Sequence, residues 1–182
     1  MNTDINYLTA LTSEFFSDKS IQKKLRLINE RNISGWETWL QIELATFLHE
    51  HASEPDWERE VTLSIDKRKE KSKLTIRPDF IIRKKGWQKD RYMAIELKIN
   101  PSVKSCIHNL MADFVKLGKM KRSELDIRSY WGIGLFLTQS DNEKPTSDIV
   151  ENKILEWGFD CDQFAATNIF EIPKTPYSYI VL

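Results

Sequence analysis

The chain has 182 residues, and 27 Lys and Arg against 27 Asp and Glu leave no formal net charge, which excludes a uniformly basic polyanion binder and an acidic tail protein. A composition 41% hydrophobic and 11% aromatic excludes a disordered chain, and no apolar run reaches the ~18 residues of a membrane span. Met1-Asn2-Thr3-Asp4 does not open a signal peptide, and Cys106 and Cys161 are too few for a disulfide framework, so a reducing, cytoplasmic setting is expected.

Residues 4–31 are predicted helical, with Leu8, Leu11, Phe15, Phe16, Ile21, Leu25 and Ile28 near helical spacing. Ser17-Asp18-Lys19-Ser20 is the expected break, with Ser17, Asp18 or Ser20 able to cap a second segment. A further helix is predicted over about 35–51. Ser34 is its expected N-cap, and Glu37 stands three residues on in a capping-box pattern. Trp36, Leu40, Leu44, Phe47 and Leu48 form its apolar stripe.

The period then changes to two. Val61, Leu63 and Ile65 alternate with Thr62 and Ser64, which predicts a half-buried strand. Asp66 to Lys73 is a charged turn, and a second strand is predicted over about 74–84. A connection through Lys84-Lys85-Gly86-Trp87 leads to a third strand, Tyr92 to Ile99. Asn100-Pro101-Ser102 closes it and starts a helix over 102–122. A fourth, central strand covers Trp131 to Thr138, followed by a short helix near 146–157 and extended pieces near 168–172 and 177–182. Three consecutive strands imply hairpins and the helix after them a crossover, so the expected class is α/β with a mixed sheet.

Charged residues inside apolar strands are the informative anomaly. In Ala94-Ile95-Glu96-Leu97-Lys98-Ile99, Glu96 and Lys98 share one face. The preceding strand carries Arg77-Pro78-Asp79-Phe80, where Pro78 suits an edge or bulge that splays the strand. Pairing of the two strands would bring Asp79 near Glu96. Two carboxylates suit Mg²⁺, and a lysine beside them can orient a water or stabilise a phosphate.

Pro78-Asp79 followed by Glu96-Leu97-Lys98 resembles the signature of the PD-(D/E)XK nuclease superfamily, the restriction-endonuclease-like fold. The helix–strand–strand–strand–helix–strand order over about 35–138 is similar to that superfamily's core. It leaves residues 1–34 as a helical extension and 139–182 as a C-terminal one, within a single domain spanning 1–182. The resemblance implies a Mg²⁺- or Mn²⁺-dependent endonuclease or other phosphodiester hydrolase. Asp79, Glu96 and the Leu97 backbone carbonyl would be metal ligands, and Lys98 would position the attacking water. Glu43, on the first core helix, would hold a second metal or water. DNA is the implied substrate, since most members act on it, with RNA the other candidate and a homodimer left open. Arg77 and Lys116 are candidate phosphate contacts, and Trp87 is a candidate base-stacking residue. The competing expectation is a catalytically silent module on the same fold, an immunity or regulatory subunit that binds nucleic acid or protein.

The zero net charge conceals a pattern. Residues 59–128 carry a net +10, and the flanks 1–58 and 129–182 carry −5 each. The basic block contains both segments that carry the resemblance, where phosphate contacts would cluster. His49 and His51 lack zinc spacing, and Cys106 and His108 point apart on a helix. No Walker A or dinucleotide-binding loop occurs.

Overall fold

The computed structural model describes residues 2–64, 75–88, 92–119, 127–138, 145–160 and 169–182. Two helices open it, α1 (Asn2–Ser17) and α2 (Lys19–Glu30), followed by α3 (Glu37–Glu50). Asp18 makes the break between the first two, accepting hydrogen bonds from Ser20 N and Ile21 N. Its carboxylate satisfies two of the amides a helix start leaves without partners.

The strands are β1 (Asp56–Arg59), β2 (Leu63–Ser64), β3 (Thr75–Ile76), β4 (Phe80–Arg83), β5 (Tyr92–Ile99), β6 (Ile127–Leu137), β7 (Ile169–Glu171) and β8 (Tyr177–Val181). Helix α4 (Val103–Leu117) joins β5 to β6, and α5 (Thr146–Glu156) follows β6. Six strands form one sheet in the order β1-β4-β5-β6-β8-β7, while β2 and β3 pair separately. Neighbours in the large sheet are antiparallel except β5 and β6, which α4 connects as a parallel pair. The α/β class and the mixed sheet agree with the sequence.

Several boundaries differ: β6 begins at Ile127 and not at Trp131, and α4 ends at Leu117, short of the expected 122. The first strand of the main sheet is Asp56–Arg59, not the alternating run at 61–65. Leu63-Ser64 belongs to the small hairpin instead, and Ile65 lies outside the described residues, as do Asp66 to Lys73 and Leu74. The segment expected as one strand over 74–84 is two, β3 and β4, separated by Arg77-Pro78-Asp79. Pro78 has no N–H to give a ladder, so the strand divides there. Ser34 does not cap α3. Gly35 takes a φ of +71°, the helix starts at Glu37, and no side chain caps it.

The sheet separates two apolar layers. Met93, Ile95 and Leu97 of β5 and Trp131, Ile133 and Leu135 of β6 pack toward α1, α2 and α3. Phe136 and Ile180 face α4 and α5 through Cys106, Ile107, Leu110, Val150 and Ile154. Period-two alternation therefore turns Ala94, Glu96 and Lys98 toward α4. Directly across the parallel pairing, Glu96 lies opposite Gly132 and Lys98 opposite Gly134. A Cβ on Gly132 would stand 2.8 Å from a Leu110 methyl, and one on Gly134 2.9 Å from Cys106 Sγ. The two glycines let α4 lie close against the strand that carries the charged pair. Among the described residues, no helix is long and apolar enough to cross a membrane.

Gly134 is enclosed by three different side chains, Cys106, Leu110 and Ile180. Gly134→Ala should therefore destabilise the fold by about 1–3 kcal/mol through overpacking. Urea unfolding would read this as a lower midpoint at an unchanged slope. An unchanged midpoint would show that α4 does not need the close approach.

Candidate active site

The site forms where β4 leaves β5. Their pairing runs from Ile82 opposite Met93 to Phe80 opposite Ile95 and ends there. The next N–H of β5 on that side, Leu97 N, donates to Asp79 Oδ2 at 2.7 Å instead of to a strand. Within a strand, the N–H and C=O of one residue exchange with the same neighbour. The Leu97 carbonyl thus faces the same opening as its N–H. Asp79 Oδ1 accepts from Gln41 Nε2 of α3 at 2.9 Å.

Glu96 is only 7% exposed and shares a hydrogen bond with Asp79. Burial first, and then the negative charge of Asp79, push its pKa up to about 8. Burial also raises Asp79, against the opposing pull of the Leu97 N–H and of Lys98. Lys98 Nζ lies 3.7 Å from Glu96 Oε2 and 2.9 Å from Asp113 Oδ2 of α4. Burial would lower the Lys98 pKa, but the hydrogen bond and charge of Asp113 outweigh it and hold the ammonium above the ordinary lysine range. Asp113 also binds Lys116 Nζ at 2.5 Å. Burial works against its ionisation, yet the two lysines hold its carboxyl below the usual range.

Of the residues expected from the sequence, Asp79, Glu96 and Lys98 meet in one cluster, and Lys116 joins it through Asp113. Glu43 does not. Its carboxylate binds Lys24 Nζ at 2.5 Å and Trp39 Nε1 at 2.9 Å on the side facing α2. Gln41, which does reach Asp79, is two positions earlier, and two positions turn a helix by about 160° to the far side. Arg77 is exposed and donates to Thr62 Oγ1 at 3.2 Å. Trp87 follows the opposite end of β4 and packs on Tyr7, ring centroids 5.5 Å apart. That position separates it from the cluster by the length of the strand and makes it a packing residue.

Two residues of the site, Glu37 and Gln41, escaped the sequence reasoning, and a third, Asp113, had no role assigned although its helix segment with Lys116 was expected to border the site. Glu37 accepts from Ile99 N at 3.2 Å, just past Lys98, and interacts electrostatically with Lys98, Asp79 and Asp113. Burial raises its pKa against the pull of Lys98. Gln41 and Asp113 are the others. Both are polar positions on otherwise apolar helix faces, Gln41 beside Leu44 and Leu48, and Asp113 beside Leu110 and Leu117. An open cleft of about 490 Å³ adjoins Glu37, lined chiefly by Ile28, Trp36, Ile99, Pro101 and Tyr177. The lone described thiol, Cys106, is buried and donates to the Lys98 carbonyl at 3.5 Å.

The donor set suits a hard divalent cation. Two carboxylates share a hydrogen bond where a cation could replace the proton, and a backbone carbonyl faces the same opening. Among the described residues no group of three or more His, Cys, Asp or Glu side chains is arranged around an ion position. Mg²⁺ commonly uses one or two carboxylates and keeps several waters, so Asp79 and Glu96 meet its requirement. Compared with family models, with curated proteins and with solved structures, the chain matches none.

The Glu96 carboxyl has a testable signature in the metal-free protein. Its ordinary value is 4.5 and its folded value about 8. Between those values the folded state holds a proton that the unfolded state has released. Its stabilising contribution is therefore complete below about pH 4.5 and is lost as pH rises through 8. Glu96→Gln keeps a neutral, hydrogen-bonding side chain and should flatten this fall. Urea midpoints from pH 5 to 9 in the presence of a chelator would show it. The same slope in wild type and Glu96→Gln would assign the pH dependence elsewhere.

Proposed function

We propose that the chain is a divalent-metal-dependent nuclease on a restriction-endonuclease-like core, hydrolysing phosphodiester bonds in DNA in the cytoplasm. The observation that carries this reading is the meeting of Asp79 and Glu96 beside Lys98 at one open strand end. Asp79, Glu96 and the Leu97 carbonyl would hold Mg²⁺ or Mn²⁺. The bound cation would supply Lewis-acid stabilisation of phosphoryl oxygens and a water of lowered pKa.

The chain's own residues then have distinct tasks. Lys98 is kept as an ammonium by Asp113. It contributes charge to orient the attacking water and stabilise the crowded phosphorus, and does not itself accept the proton. Lys116, 52% exposed at its side chain, extends that positive charge to the surface, where a neighbouring phosphate would pass. Glu37 supplies the helix carboxylate that the resemblance would have given to Glu43.

A silent binding module is the competing reading, favoured by the lack of a three-ligand cluster among the described residues. Cleavage assays separate the two. Plasmid, linear DNA and RNA should be offered with Mg²⁺ and with Mn²⁺. DNA should be cut by the wild-type chain, and Glu96→Ala and Lys98→Met should each lose about 100-fold or more in rate. A wild-type protein that cuts none of them, or a Glu96→Ala protein that cuts equally fast, would refute the nuclease reading.

A further inference from the structure

The polar groups behind Asp79 form a chain with a fixed direction. Arg59, the last residue of β1, can only donate hydrogen bonds. Its Nη2 donates to Gln41 Oε1 at 2.7 Å. A side-chain amide has one accepting end and one donating end, so the Gln41 NH₂ must face away from Arg59. There it donates to Asp79 Oδ1 at 2.9 Å. The other Asp79 oxygen is held by Leu97 N. The carboxylate is thus gripped at both oxygens, once by the sheet backbone and once by α3.

Gln41 is 6% exposed on the inner face of α3, where an amide is tolerated only if both ends are bonded. The guanidinium of Arg59 lies over the Phe80 ring at 5.7 Å, with Glu60 3.7 Å from Nη2. Its Nε is buried without a partner among the described residues. This placement serves the contact to Gln41 at the expense of the arginine's own hydrogen bonding.

We propose that Gln41 and Arg59 are positioning residues: Arg59 fixes which way the Gln41 amide points, and Gln41 then holds Asp79 in the orientation that presents its remaining lone pairs to a divalent cation. The proposal rests on the metal-dependent reading in taking Asp79 as a ligand. Without Arg59, the buried Gln41 Oε1 is left without its donor, and the side chain is no longer held at both ends in the position that grips Asp79. The Arg59 contact is one N–H···O bond and not a fork, so a lysine, also donor-only, can replace it.

Mn²⁺ binding to the full chain, followed by calorimetry with thermal midpoints alongside, tests this. Gln41→Leu and Arg59→Met should weaken Mn²⁺ binding by about 10–100-fold, the usual cost of losing a partner that orients a ligand. Arg59→Lys should restore it. Should Gln41→Leu not fold, the Arg59→Met and Arg59→Lys pair carries the comparison, because a general packing role would not distinguish two chains of similar bulk by Mn²⁺ affinity. Wild-type affinity in Arg59→Met, or a loss in Arg59→Lys equal to that in Arg59→Met, overturns the proposal and leaves the nuclease reading standing. A wild-type chain with no Mn²⁺ site sensitive to Asp79→Ala overturns both.

Discussion

The hydrogen bond from Leu97 N to Asp79 Oδ2 is the contact on which the rest of the site depends. Pro78 stops the ladder between β4 and β5, and a buried backbone N–H left behind would be costly. The Asp79 carboxylate takes the place of the missing strand. That single substitution of side chain for backbone has three results. It opens the sheet beside the Leu97 carbonyl, seats Asp79 against Glu96, and gives α3 a carboxylate to grip through Gln41. The main chain of Asp79 stays in the fold by accepting from Glu60 N at 3.2 Å.

Charge balance then follows from which elements are pressed together. Glu37 and Gln41 come from α3, Asp79 and Glu96 from the strands, and Asp113 and Lys116 from α4. Gly132 and Gly134 allow that last helix near enough for Asp113 to bind Lys98. Five carboxylates, Glu37, Glu60, Asp79, Glu96 and Asp113, share this region with three cations, Arg59, Lys98 and Lys116. A proton on Glu96 reduces the negative excess, in keeping with its raised pKa. A dication in place of that proton would cancel the excess.

Much of this was legible in the sequence because it is carried by local patterns. Period-two alternation showed that Glu96 and Lys98 share a face, and Pro78 marked a splay in the neighbouring strand, though not its division into two. The mixed sheet followed from three strands, a helix and a strand. The helix contributions were not legible in the same way. Glu37 matches a capping box, but Gly35 ends the preceding loop in a left-handed conformation and the Glu37 carboxylate is used by Ile99 N instead. Gln41 carries no charge and attracts no attention until its two partners, from β1 and the turn before β4, are known. Glu43 has the right residue type on the right helix but the wrong angular position. Asp113 lies seventeen residues beyond Glu96, and only the close approach of α4 brings it to Lys98. In each case the deciding fact is tertiary.

A purely structural origin for the cluster predicts a different arrangement. The Lys98, Asp113 and Lys116 contacts would suit a structural ion-pair network, since each charge meets its opposite. Asp79 and Glu96 do not fit that account. They are like charges brought together under burial, and the fold must take up a proton to accommodate them. A glutamine at position 96 would make the same hydrogen bond without the pH-dependent penalty. Local conflict of this kind marks a candidate functional site, and on the proposed reading a cation would relieve it. Arg59 shows a second conflict, a buried Nε without a partner among the described residues beside an Nη2 that donates to Gln41. Both conflicts converge on the Asp79 carboxylate, one through Glu96 and the other through Gln41.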